Sequence, residues 1–60
     1  MYYQIEIENW EEDFELIDEA KTLEEAINIA KKVPIESYKA IMIYKVDYDG
    51  TILGEMEVEI

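Results

Sequence analysis

Polar and apolar residues alternate along the first eight positions of the chain. The odd positions are Met1, Tyr3, Ile5 and Ile7, and the even positions are Tyr2, Gln4, Glu6 and Glu8. A period of two predicts a β-strand that buries one of its faces. Residues 9–13 are polar apart from Trp10, so we expect a turn there, with Trp10 folded over the edge of the core.

A second strand is predicted at residues 14–20, antiparallel to the first. Within it, Phe14 and Leu16 would face the core, whereas Glu15 and Ile17 would point outward. Glutamate, leucine and alanine also favour helices, so a helix in this segment is the alternative.

The clearest helix begins after Thr22. Thr22 and Glu25 have the spacing of a capping box, and acids in the first turn stabilise the positive end of a helix. Pro34 ends the helix, because proline lacks an N–H group and disfavours helical geometry at the residue before it. The apolar stripe of this helix, at helical spacing, is Leu23, Ala26, Ile27, Ala30 and Val33.

Residues 38–60 predict a β-hairpin. The segment Asp47-Tyr48-Asp49-Gly50 suits a type I turn closed by a left-handed glycine, which makes a three-residue loop with a bulge. One apolar face then holds the pairs Val46–Ile52, Tyr44–Gly54, Met42–Met56 and Ala40–Val58, and the other face holds Lys39–Glu59, Ile41–Glu57 and Ile43–Glu55. A two-residue loop would move the register by one residue and place Lys39 and Lys45 opposite apolar partners on the core face. We favour the first register because it pairs opposite charges across the strands.

Together these elements predict one α+β domain over residues 1–60. We expect a four-stranded antiparallel sheet with connectivity ββαββ, strand order 2-1-3-4 and one helix packed on one face. Residues 40–46 are largely apolar on both faces, as expected for a central strand, and acids on the outer strands oppose stray pairing at the edges. The order 1-2-3-4 is the alternative.

Acidic residues dominate the composition. Sixteen Asp and Glu stand against five Lys, with no Arg or His, which gives a net charge of −11. Such a chain repels nucleic acid and anionic membranes and attracts basic surfaces. The alternative is that the charge only confers solubility.

The residue types that carry most catalysis are missing from the chain. Without His or Cys it lacks the usual acid–base group near neutral pH and any thiol nucleophile. The Asp47-Tyr48-Asp49-Gly50 turn is similar to the start of a calcium loop, but the later acidic ligands of that loop are missing. We therefore expect no enzyme activity, no cofactor and no metal site.

The expected location is the cytoplasm, without membrane contact. No apolar run is long enough to span a bilayer, and residues 1–7 lack the basic start of a signal peptide. The absence of cysteine fits a reducing compartment.

Rows of glutamate are the first candidate for a partner-binding surface. Alternate strand residues lie about 6.6 Å apart on one face, so the outer strands display negative charge at regular intervals. Such rows imitate a phosphate backbone, in the manner of small acidic proteins that mimic DNA. The candidate acidic face comprises Glu6, Glu8, Glu11, Glu12, Asp13, Glu15, Glu55, Glu57 and Glu59.

The second candidate is the sheet face that a single helix leaves uncovered. An exposed aliphatic patch rimmed by charge is typical of an interface, and a thin core gains stability from added burial. A homodimer is therefore a candidate assembly; coverage of the patch by Lys and Glu stems is the alternative. The candidate apolar interface comprises Ile41, Ile43, Leu53, Ile17 and Tyr2.

The sequence thus predicts a small acidic module that binds a protein with a basic surface, as an inhibitor or regulator, with nucleic-acid mimicry as its most specific form. The alternative is a homo-oligomeric accessory domain whose acidity only confers solubility. Residues 1–33, with the helix opening Thr22-Leu23-Glu24-Glu25-Ala26, also resemble HicB-type antitoxin domains. That resemblance implies a strand–strand–helix unit and carries no site residues over.

Overall fold

The computed structural model of the chain describes residues 1–58, except for the side chain of Ile35. Its elements are β1 (Tyr2–Glu8), β2 (Phe14–Ala20), α1 (Leu23–Lys31), a 3-10 turn (Ile35–Ser37), β3 (Ala40–Val46) and β4 (Ile52–Val58). The four strands form one antiparallel sheet in the order β2-β1-β3-β4. The predicted α+β fold, its connectivity and its strand order are therefore confirmed, and residues 14–20 form a strand and not a helix.

The helix begins where the capping pattern predicts. The Oγ1 atom of Thr22 accepts a hydrogen bond from the N–H of Glu25 at 3.2 Å. The Glu25 carboxylate in turn accepts from the N–H of Lys21 at 3.4 Å, one residue before the position that a capping box would use. Glu24 and Glu25 lie in the first turn and Lys31 in the last, so the charges complement the helix dipole at both ends.

The core lies between α1 and one face of the sheet. Four isoleucines on the two central strands meet there, since Ile5 pairs with Ile43 and Ile7 with Ile41. All four are buried, together with Ala20, Ala26 and Ala30. The three alanines let the helix lie close to the sheet, and Tyr38 closes the same cluster.

The predicted hairpin register is correct only next to the turn. Val46 pairs with Ile52 as expected, but Leu53 is an extra residue in β4, and Lys45 pairs with Gly54. From there to Val58 every described pair differs by one residue from the favoured register and matches the alternative register of a two-residue loop, with Lys45 on the helix side. The predicted pair Lys39–Glu59 lies outside the described residues. Ile43 meets Met56 and Ile41 meets Val58. Both isoleucines are buried in one cluster with Ala26 and Ala30 of the helix, so they lie on the helix side and the Ala40, Met42 and Tyr44 side is uncovered. This arrangement brings large β-branched side chains from both central strands together in the core.

The predicted orientation of β2 is also wrong. A second bulge displaces β2 at Ile17, because Asp18 pairs with Ile5 whereas Leu16 pairs with Glu6. Residues paired across strands share a face, so Leu16 lies on the side away from the helix. Phe14 does the same through its pairing with Glu8, and the exposed fractions of Phe14 and Leu16 are 58% and 54%.

Trp10 does not fold over the core. Its side chain is 64% exposed, and its Nε1 donates a hydrogen bond to the backbone carbonyl of Glu36 at 2.9 Å. Trp10 therefore ties the β1–β2 loop to the 3-10 turn at the same end of the sheet.

Candidate functional site: the uncovered face of the sheet

The side of the sheet opposite α1 is here called the open face. The pairings across the four strands assign its residues. They are Tyr2, Gln4, Glu6 and Glu8 of β1; Phe14, Leu16 and Glu19 of β2; Ala40, Met42, Tyr44 and Val46 of β3; and Ile52, Glu55 and Glu57 of β4.

On most of the open face, the type of side chain differs from one strand to the next. Glutamates project from β1 and β4, where Glu6 and Glu57 flank Met42 in one row of the sheet. Apolar side chains project from β3 and from the first half of β2, where Leu16 continues the same row. The face is therefore striped, with acidic strands alternating with apolar ones at about the 4.8 Å spacing of neighbouring strands.

The negative charge of the open face is not balanced by lysines on the same face. Lys45 is the one lysine within a described strand, and it lies on the helix side because it pairs with Tyr3 and Gly54. Within residues 1–58 the one ion pair joins Lys39 Nζ to Glu12 Oε1 at 3.6 Å, outside the open face. The five glutamates of the open face thus have no lysine among their neighbours on that face.

Tyr44 reports the electrostatic environment at the centre of this face. It pairs with Gln4 on one side and with Glu55 on the other. Partial burial raises the pKa of Tyr44 above its ordinary value of 10.0, and the negative charges of Glu6 and Glu55 raise it further. The apolar stripe of β3 therefore lies in a negative potential.

The predicted acidic residues fall into separate places. Glu6, Glu8, Glu55 and Glu57 lie together on the open face. Glu11, Glu12 and Asp13 lie in the loop between β1 and β2. Glu15 pairs with Ile7 and so belongs to the helix side, and Glu59 lies outside the described residues. Sequence reasoning missed Glu19, whose Oε2 accepts a hydrogen bond from Gln4 Nε2 at 3.4 Å.

The predicted apolar interface is largely wrong. Ile41 and Ile43 are 0% and 1% exposed, beneath the helix. Tyr2 does lie on the open face, whereas Leu53 and Ile17 are exposed bulge residues on opposite edges of the sheet. The apolar residues that do line the open face and that the prediction placed in the core are Phe14, Leu16, Met42 and Tyr44.

Two depressions lie away from the centre of the open face. One, of about 600 Å³, is lined by Tyr2, Glu19, Ala20, Lys21 and Glu25. The other, of about 240 Å³, lies on the helix side next to β4 and is lined by Tyr3, Leu23, Ile43, Lys45, Gly54, Glu55 and Met56. Across residues 1–58, no group of three or more acidic side chains is arranged to hold a metal ion.

A scan against models of protein families, a search of curated proteins and a search of solved structures each returned no significant match. Within residues 1–58, the helix is too short and too polar to cross a membrane.

Proposed function

We propose that this protein is a small acidic binding module whose open face docks on the basic surface of another protein and thereby regulates or inhibits it. The observation that carries the proposal is the segregation of charge, since that face bears five glutamates and no lysine. Solubility alone does not require the glutamates to be separated from the lysines in this way, because charges scattered over the whole surface keep a protein soluble equally well.

The apolar stripes give the partner more than charge to bind. Phe14 and Leu16 on β2 are more than half exposed, and Met42 and Tyr44 on β3 are half-buried on the other side of β1. Exposed apolar groups flanked by charged ones suit a protein interface, which combines apolar contacts with polar ones. The complementary partner surface bears Lys or Arg side chains that meet Glu6 and Glu57, with apolar groups between them.

The size of the face predicts moderate affinity and strong dependence on salt. Four strands about 4.8 Å apart, each of seven residues at about 3.3 Å, give a face of roughly 19 by 23 Å, or about 440 Å². A stable interface covers about 800 Å² on each partner. Contacts with this face alone are therefore of the transient class, in which charge contributes largely to the rate of association.

Mimicry of a nucleic acid is the more specific form of the proposal. Glu6 and Glu8 on β1 and Glu55 and Glu57 on β4 make two rows about 9.6 Å apart, with about 6.6 Å between charges in a row. One strand of duplex DNA carries a charge every 3.4 Å or so along the axis, so each row has about half that density. If mimicry is the mode of action, the protein competes with nucleic acid for its partner.

The proposal is tested by removing charge from one face at a time. An open-face variant carries Glu6→Gln, Glu55→Gln and Glu57→Gln. Partners retained from an extract of the host cell at low salt are identified and purified, and their Kd is measured by calorimetry. We expect the open-face variant to bind about tenfold more weakly, because three surface charge pairs at about 0.5 kcal/mol each sum to roughly 1.5 kcal/mol.

A matched control separates the open face from total charge. The variant Glu15→Gln, Glu24→Gln, Glu36→Gln removes the same three charges, from −11 to −8, at positions off the open face. We expect its Kd to stay within about twofold of the parent value, which corresponds to roughly 0.4 kcal/mol. Equal loss in both variants would reject the open face and leave only a general effect of charge.

A homo-oligomer is the second candidate, supported by the exposed apolar side chains Phe14 and Leu16. Two copies joined through their open faces would bring five glutamates of each against five of the other, which is repulsive at low salt. We therefore expect sedimentation to show a monomer at low ionic strength. A dimer under those conditions, lost in the variant Phe14→Ser, would favour the oligomer over the docking proposal.

A further inference from the structure

The two edges of the sheet differ in how well they could accept another strand. β2 has a bulge at Ile17, and Asp18 lies on its helix side opposite Ile5. Bulges and inward-pointing charges are features that protect an edge from pairing. β4 has its bulge next to the turn, and from Gly54 to Val58 it pairs regularly with β3. The second half of β4 is therefore the edge better suited to an added strand.

An apolar groove lies beside this edge on the helix side. The helix packs over β1, β2 and β3, and Leu23 and Met56 remain 39% and 40% exposed. Between them lies the depression of about 240 Å³. Ligand sites for small molecules measure roughly 300–1,000 Å³, so this groove matches a side chain or two and not a free metabolite.

Gly54 opens the route from the edge into the groove. It belongs to the helix-side row of Tyr3 and Lys45, and a Cβ atom added to it would meet nothing within 4 Å. A side chain from a strand paired with β4 could therefore pass over Gly54 and reach the wall formed by Ile43 and Leu23.

The charges along β4 select the kind of strand that can pair with it. Glu55 and Glu57 alternate with Gly54 and Met56 and project from the open face. A second copy of β4 would place glutamates opposite glutamates, which is destabilising, whereas lysines in those positions would be favourable. The occupant that fits is therefore a basic partner and not another copy of this chain.

We propose that β4 binds an extended segment of the partner as a fifth strand, a segment in which basic and apolar residues alternate. Its basic side chains meet Glu55 and Glu57 on the open face, and one of its apolar side chains enters the groove over Gly54. The basic character of the partner rests on the proposed function, whereas the groove and the edge do not. The added strand also extends the contact area beyond that of the open face alone.

Two peptides of identical composition test this proposal. Both have seven residues, the length of β4, and blocked termini; one alternates lysine with leucine, and the other has its lysines and leucines in separate blocks. We expect the alternating peptide to bind about tenfold more tightly, since only it satisfies both faces of the added strand. We also expect it to slow hydrogen exchange at the amides of Glu55 and Glu57.

A substitution in the groove supplies the second arm of the experiment. Gly54→Val closes the route without altering charge, and valine suits a strand better than glycine, so the fold is retained. We expect the alternating peptide to bind this variant about tenfold more weakly, whereas Thr51→Val, in the turn, leaves binding unchanged. Circular dichroism checks that both variants are folded.

The outcomes distinguish this inference from the proposed function. Equal binding of both peptides, with weakening only in the open-face charge variant, would overturn strand addition and leave docking by charge intact. Unchanged binding to Gly54→Val, or no binding of either peptide, would also overturn strand addition. Loss of selectivity for the alternating order in Gly54→Val alone would support it.

Discussion

Glu12 and Gly50 occupy equivalent positions in the two hairpin loops. Both have positive φ, 66° for Glu12 and 91° for Gly50. The N–H of each donates to the carbonyl three residues earlier, Asn9 and Asp47, and both distances are 3.0 Å. The two loops thus share one backbone conformation, a type I turn followed by a left-handed residue. Only the second loop has glycine, the residue that best suits a positive φ, at the left-handed position.

The substitution Glu12→Gly is expected to stabilise the protein. A left-handed conformation costs a residue other than glycine about 1 kcal/mol, and the lost ion pair with Lys39 joins two exposed side chains and contributes little. We expect the free energy of unfolding in urea to rise by about 0.5–1 kcal/mol. The control Glu11→Gly removes the same charge without this benefit, and equal stabilisation by both variants would contradict the explanation.

The substitution Tyr38→Phe is expected to leave stability unchanged or to raise it. Tyr38 is 6% exposed, and its hydroxyl has no hydrogen-bond partner in the described part of the chain. A buried unpaired polar group costs about 1–3 kcal/mol, so removing the oxygen while keeping the ring should not destabilise the protein. Thermal unfolding measures the effect, with Tyr48→Phe as the exposed control. A loss greater than about 1 kcal/mol would mean that the hydroxyl is satisfied.

The raised pKa of Tyr44 predicts the sign of a pH dependence. In the folded protein burial, then Glu6 and Glu55, hold the pKa of this phenol above 10.0, so the folded state keeps its proton longer than the unfolded state. The contribution of Tyr44 to stability is therefore complete below pH 10.0 and is lost as pH rises through the folded pKa. Titration followed by NMR of the phenol carbons measures this directly.

Removing the neighbouring charges separates the causes of that pKa shift. In the double variant Glu6→Gln, Glu55→Gln we expect the pKa of Tyr44 to fall toward its ordinary value and to remain above it, because burial is the larger cause. An unchanged pKa would mean that the charges of Glu6 and Glu55 do not act on the phenol of Tyr44.

Added salt is expected to stabilise the folded protein. The net charge is −11, and within residues 1–58 a single ion pair offsets the repulsion among the acids. Raising the ionic strength shortens the range of that repulsion from about 30 Å at 0.01 M to about 8 Å at 0.15 M. We expect Tm to rise over this interval in potassium chloride. A falling Tm would indicate that attractive pairs outweigh the repulsion.

The elements of the fold follow from local signals that the sequence carries. The Thr22 cap, the Pro34 stop and the turn at Gly50 each have a chemical cause within a few residues, and the apolar character of residues 40–46 indicates a central strand. These signals predicted the strand order correctly.

The faces of the sheet could not be predicted in the same way, because one extra residue reverses every later side chain. The bulges at Leu53 and Ile17 carry no strong local signal, and each reverses the side on which neighbouring residues lie. One feature of the sequence does indicate the buried faces. Each central strand has two isoleucines at alternate positions, Ile5 and Ile7 in β1 and Ile41 and Ile43 in β3. Giving weight to that feature would have placed the four isoleucines together beneath the helix.

The most direct test of the account asks which face of the protein touches its partner. A photoreactive benzoylphenylalanine replaces Phe14 on the open face in one variant and Asn28, exposed on the helix, in another. After illumination of the complex, mass spectrometry identifies the cross-linked partner. We predict a cross-link from position 14 that disappears at high salt, and none from position 28. A cross-link from position 28 with none from position 14 would contradict the claim that the open face is the binding surface.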